Sequence, residues 1–211
     1  MTMFGSQWLA NAGSTYEIDQ SIRFNDDDSA KLSRTPSAGN RTTWTYSVWL
    51  KRGNIPGLSK DIFSASTNST NRFEIQFNAS EQIRIYQSDS GSTTDDLITN
   101  RLFRDPSSWY HLVFRYDTTE STASDRIKLY VNGVQETSFS TANYPTASYE
   151  GDVNANVVHT ISSRESGGVF FDGYMAEINF VSGTAKAASD FGKTNAATGQ
   201  WVPKKYTGAY G

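Results

Sequence analysis

The sequence predicts an all-β fold, an antiparallel β-sandwich of jelly-roll type, and three observations carry that expectation. Apolar and polar residues alternate with a period of two in one stretch after another, the pattern of strands with one buried face. Charged residues make up only 19% of the 211-residue chain and hydrophobic ones 36%, so Ser, Thr, Asn and Gly fill the balance. That mixture suits short strands joined by many turns and is poor in helix formers. No segment sustains a helical period. Aromatic residues at 13% supply core enough for an ordered domain of this length.

In chain order, Trp44, Tyr46, Val48 and Leu50 share one face of a first long strand. Arg72-Phe73-Glu74-Ile75-Gln76-Phe77 alternates cleanly and is followed, across Asn78-Ala79-Ser80-Glu81, by Gln82-Ile83-Arg84-Ile85-Tyr86, which together read as a hairpin. Residues 109–116 put Tyr110, Leu112, Phe114 and Tyr116 on one side. Ile127-Lys128-Leu129-Tyr130-Val131 then turns through Asn132-Gly133, the pair that suits the two positive φ angles of a type I′ hairpin. Residues 169–181 read as a long closing strand with Tyr174, Ala176, Ile178 and Phe180 on a single face. A turn of helix fits only residues 185–191. With no internal repeat and no break in composition, the expected organisation is one sandwich domain over 16–191. It lies between an N-terminal arm at 1–15 and a C-terminal arm at 192–211.

Charge and composition exclude several function classes. The net charge of −3 offers no basic footprint for nucleic acid and no attraction to anionic membranes. There is no cysteine, hence no disulfide, thiolate nucleophile or Cys-bound zinc. Met1 to Trp8 lacks the basic and apolar regions of a secretory signal, and no apolar run approaches the roughly 18 residues of a membrane span. The two histidines, His111 and His159, have no metal-pair spacing. His111 reads as a hydrogen-bonded structural residue rather than a catalytic base.

Sandwich folds host glycosidases, which need two positioned carboxyls. Glu17 and Asp19 lie on one strand face, but the third acid of a Glu-x-Asp-x-x-Glu pattern falls on Ile22, and Glu177 has only Asn179 on its face. The chain is therefore expected not to be an enzyme. The acidic run Asn25-Asp26-Asp27-Asp28 offers oxygen ligands of the type calcium takes, without the spacing of a helix–loop–helix site.

These segments carry a resemblance. Trp109-Tyr110-His111-Leu112-Val113-Phe114-Arg115-Tyr116-Asp117, then Ile127 to Gly133, then Phe171-Asp172-Gly173-Tyr174-Met175-Ala176-Glu177-Ile178, resemble in order the signature segments of laminin-G-like, concanavalin A-like jelly rolls. Residues 3–11, 21–29 and 199–208 are similar to laminin-G-like proteins of tailed, notably marine, bacteriophages. The resemblance implies a virion structural protein: a tail fibre, head fibre or capsid-decoration module, assembled in the host cytoplasm and located on the particle. It implies homo-oligomers, contacts with other capsid or tail proteins, and binding of a cell-surface glycan, without nucleic acid or membrane insertion. Calcium is the one cofactor it suggests, with Asp117, Asp26 and Asp28 as candidate ligands. Phe4, Trp8 and Leu9 of the N-terminal arm are the candidate attachment residues, because apolar side chains there gain most from covering a neighbour. The alternative expectation is a free carbohydrate-binding module or a glucanase-like glycoside hydrolase.

Overall fold

A computed structural model describes residues 16–164 and 167–211; the attachment candidates Phe4, Trp8 and Leu9 lie outside the described residues. In chain order the strands are β1 (Ile22–Phe24), β2 (Leu32–Arg34), β3 (Thr43–Arg52), β4 (Lys60–Ser66), β5 (Arg72–Phe77), β6 (Ile83–Asp89), β7 (Ser92–Thr99) and β8 (Tyr110–Asp117). They continue as β9 (Ile127–Val131), β10 (Val134–Glu136), β11 (Phe139–Asn143), β12 (Val158–Ile161), β13 (Gly173–Ser182), β14 (Gly192–Thr194) and β15 (Trp201–Pro203). Among the described residues helix is limited to two short 3₁₀ turns, one of them at Ala188–Asp190 within the stretch expected to be helical.

The strands form a six-stranded sheet in the order β1-β13-β3-β8-β9-β10 and a seven-stranded sheet in the order β11-β7-β6-β5-β4-β12-β2. Every pairing within them is antiparallel. The inward faces are those that the alternation marks. Tyr46, Val48, Leu50, Leu112, Phe114 and Leu129 of one sheet meet Phe73, Ile75, Phe77, Ile83 and Ile85 of the other, all buried. Trp44 stacks on Tyr116 with centroids 4.9 Å apart and meets the edge of Phe73 at 5.3 Å, so aromatic rings interlock the two layers. The hairpin at Asn132-Gly133 has φ of 49° and 81°, as a type I′ turn requires.

One strand departs from the expected pattern. β13 pairs Ala176 with Trp49 but Asn179 with Ser47, leaving Glu177 and Ile178 together opposite Val48. Glu177 takes φ of +47° at this bulge. The extra residue reverses the alternation: Tyr174 and Ala176 face outward, whereas Ile178 and Phe180 pack on the core. The four residues therefore do not share one face.

The C-terminal stretch 192–211 packs on the outer face of the six-stranded sheet. Phe191 and Tyr206 stack at 4.9 Å and bury Val113 and Val181 in a second apolar cluster. The β14–β15 hairpin brings Trp201 over Gly133, where a Cβ would meet its ring at 2.5 Å; glycine is required there both for space and for its positive φ. As a result β3 is buried on both faces, and its outward Thr45 and Ser47 are enclosed as fully as its core residues.

Candidate functional site

A groove of about 620 Å³ lies at the open edge between the sheets. One wall is β2 and β12, at the edge of the seven-stranded sheet; the other is β13 beyond its bulge. Its floor is aromatic: Tyr46 stacks on Phe63 at 4.7 Å, and Phe63 on Phe180 at 6.1 Å. Its rim is polar. Arg34 stands exposed at the mouth with no ion pair among the described residues, flanked by Ser33 and Ser37. Apolar walls with a few convergent polar groups and a volume of this size are the ordinary features of a small-ligand site.

The walls are fixed by hydrogen bonds. Asn154 donates from its side-chain amide to the Asn40 carbonyl at 2.7 Å and to Ser182 Oγ at 2.9 Å, tying the 143–156 loop to β13. The Asn154 backbone N–H donates to His159 Nε2 at 3.0 Å, so His159 carries its proton on Nδ1 and donates it to the Val157 carbonyl at 2.9 Å. Burial lowers the His159 pKa, which keeps this arrangement neutral.

A second constellation lies on the outer face of the seven-stranded sheet. Arg164 Nε sits 3.3 Å from Asp61 and 3.1 Å from Glu74, and Arg72 donates to Glu74 at 2.8 Å. Gln76 adds a bond to the other Glu74 oxygen at 3.1 Å. Burial, with repulsion from Glu74, pushes the Asp61 carboxyl up to about 7. Next to this group Arg84 clamps Asp96 at 2.7 and 2.8 Å and lies 4.3 Å over the Tyr86 ring, which Arg72 approaches at 5.0 Å. This is the carboxylate pair that sequence reasoning missed. Its signal was the polar half of an alternation read for its apolar half: Arg72, Glu74 and Gln76 beside Arg84 and Asp96.

The sequence-predicted residues are distributed otherwise. Asp26 accepts from Lys60 at 2.7 Å and Asn54 at 3.2 Å, and the lysine hydrogen bond holds its pKa below the usual value. Asp28 accepts from Asn25 at 2.6 Å, whereas Asp117 accepts from Thr119 at 2.6 Å and pairs with Thr43 at the far end of β3. Phe24 joins Gly173, which pairs with Arg52, so Asp26 and Asp117 are separated by nearly the whole of β3, about 30 Å. The structure does not bring the three calcium candidates together, and no group of three or more His, Asp or Glu among the described residues could hold a metal. Glu17 and Asp19 are exposed, and Glu177 accepts the Tyr16 hydroxyl. His111 is enclosed and hydrogen-bonded to Ser47 and Trp201, each at 2.9 Å.

A laminin-G family model, described as the concanavalin A-like lectin/glucanases superfamily, matches residues 24–189. No curated protein sequence matches the chain. Among solved structures it is similar to tailspike protein 2 of the Escherichia coli O157:H7 bacteriophage CAB120, at 15% identity and TM-score 0.56, over 81% of this chain and 23% of the tailspike. It is similar to a carbohydrate-binding protein of Bacteroides ovatus, described as putative, at 13% identity and TM-score 0.54, over 82% of this chain and 45% of that one. Domain 4 of an extracellular arabinanase from Geobacillus stearothermophilus, solved with arabinotriose, aligns at 18% identity and TM-score 0.50, over 72% of this chain and 64% of the domain. At these identities the likeness is one of fold.

Proposed function

The chain belongs to the concanavalin A-like lectin/glucanases superfamily, and from that premise we propose that it is a non-catalytic glycan-binding module carried on a bacteriophage particle. The observation that carries the glycan-binding part is the groove of about 620 Å³, with its aromatic floor, its serine rim and, at its mouth, Arg34, which has no ion pair among the described residues. Phe180, the partly exposed ring of that floor, can take the C–H side of a sugar, and hydroxyl and guanidinium groups bind its oxygens. The virion part rests on the resemblance of residues 3–11, 21–29 and 199–208 to phage proteins, and the fold likeness to a tailspike supports it. In this reading the N-terminal segment with Phe4, Trp8 and Leu9 joins the module to neighbouring virion proteins. Repeated copies on the particle then raise the effective concentration of a weak glycan contact.

A glucanase is the second reading, and Asp61 with Glu74 is the observation that favours it, since a carboxyl raised to about 7 suits a general acid. Against it, both acids are fully buried and share Arg164, so substrate has no path to either.

The test screens the purified chain against an array of bacterial surface polysaccharides, with Arg34→Ala and Ser37→Trp as groove variants. Binding by the wild type that falls roughly ten- to a hundredfold in Arg34→Ala, as loss of a charged hydrogen bond predicts, supports the module. Wild-type binding that both variants retain removes the groove, and the absence of the chain from purified particles by immunogold labelling removes the virion role.

A further inference from the structure

We propose a second carbohydrate contact, separate from the groove, on the outer face of the six-stranded sheet: a shelf formed by Trp49 and Trp109 that takes the C–H face of a neutral, all-equatorial pyranose. A cavity of about 330 Å³ opens there. Ala176 and Trp49 form its floor, Trp109 one wall, Pro203 another, and Asp19 with Gln20 the rim. The groove lies on the inner side of β13 and this shelf on the outer side, so the bulge at Glu177 divides them.

Three features make this a built surface. First, Trp109 is 38% exposed, a large aromatic face left to water beside a second indole. Second, Trp49 is held rigid. Its ring stacks on His111 at 4.7 Å, and His111 in turn stacks on Trp201 at 6.0 Å. The Trp201 N–H donates to His111 Nδ1, so His111 Nε2 carries the ring proton and donates to Ser47 Oγ. Burial drives the His111 pKa down to about 3, and the platform under Trp49 therefore stays neutral. Third, the Trp49 indole N–H is buried and has no acceptor among the described residues. An unpaired donor of this kind is a standing cost that an oxygen-rich ligand seated on the shelf can relieve.

The chemistry of the rim selects the ligand. No lining residue is basic, while Asp19 is an exposed carboxylate, which disfavours anionic sugars. A carboxylate accepts two hydrogen bonds, and a vicinal diol supplies two donors. A pyranose whose hydroxyls are all equatorial offers those donors at its edge and a bare C–H face to Trp109. The choice of ligand class rests on the glycan-binding reading above; the location does not.

The experiment is calorimetric titration of cellotetraose, with methyl β-D-glucopyranoside as the monosaccharide probe, into wild type, Trp109→Ala, Asp19→Asn and the groove variant Arg34→Ala. Melting temperatures check that each is folded. The expected result is a roughly tenfold or greater loss of cellotetraose affinity in Trp109→Ala and a smaller loss in Asp19→Asn. Loss in Arg34→Ala alone overturns the shelf and leaves the groove standing. A wild type that binds neither probe also overturns the shelf, and the polysaccharide array then judges the groove by itself.

Discussion

Asp95 offers a quantitative test of how the core was assembled. The residue sits on the inward face of β7, fully buried. Tyr116 donates to its Oδ2 at 3.2 Å, and its other oxygen has no partner among the described residues. Burial outweighs the hydrogen bonds and pushes the carboxyl from 3.8 up to about 7. Between those values the folded chain keeps a proton that the unfolded chain has released. Stability is therefore full below 3.8 and falls as pH rises to about 7, by about 1.4 kcal/mol per pH unit or about 4 kcal/mol in all. Asp95→Asn removes the charge while keeping an acceptor for Tyr116, and its unpaired amide protons cost about 1–3 kcal/mol. The variant should be no more stable than wild type at pH 4 and more stable by about 1–3 kcal/mol at pH 8. Urea denaturation at each pH unit measures this. Asp61 titrates in the same window in both proteins, so the difference between the two curves isolates Asp95. A difference that stays constant from pH 4 to pH 8 would refute the reasoning.

Removing the cover over His111 with Trp201→Ala should raise its pKa from about 3 toward 6.5, because solvent then reaches the ring; NMR titration of the imidazole protons reads the shift, and an unmoved value would show that Trp201 is not the seal. Gly133→Ala should cost about 1–3 kcal/mol in thermal unfolding and detach the C-terminal hairpin, since its Cβ meets Trp201 at a positive φ; wild-type stability would contradict the packing. The chain should release no reducing sugar from β-glucans, and turnover abolished by Glu17→Gln, Glu177→Gln or Asp61→Asn would reinstate the hydrolase.

What was legible in the sequence is what local chemistry determines. The alternation from Trp44 to Leu50 and from Arg72 to Phe77 marks its own buried face, and Asn132-Gly133 names its own turn. The bulge at Glu177 was not legible, because a single inserted residue leaves no trace in a period-two count and yet reverses Ile178 and Phe180. The groove was illegible for another reason. Its walls come from β2, β12 and β13, whose adjacency depends on strand order rather than on any short stretch. Trp201 gave no signal at all: it lies in an irregular polar stretch, and only the packed hairpin brings its ring to His111.

Each sheet disposes of its outer face in its own way, and this sets where openings remain. The seven-stranded sheet places acids there and neutralises them with Arg72, Arg84 and Arg164, so that Asp61 and Glu74 end as buried members of a closed network. A buried carboxylate stripped of one such partner is costly, and the network is therefore a structural seal first. The six-stranded sheet uses apolar cover instead, with Phe191, Tyr206 and Trp201 lying over Val113 and His111. That cover stops at Pro203, and beyond it Trp49 meets Trp109. Ligand-sized openings remain where a seal ends: at the shelf past the C-terminal hairpin, and at the groove where β13 leaves its register and β2 ends the opposing sheet. A module that binds at two such margins can use both at once on a repeating polysaccharide, and losing either one alone would then weaken binding to the polymer more than binding to a single sugar.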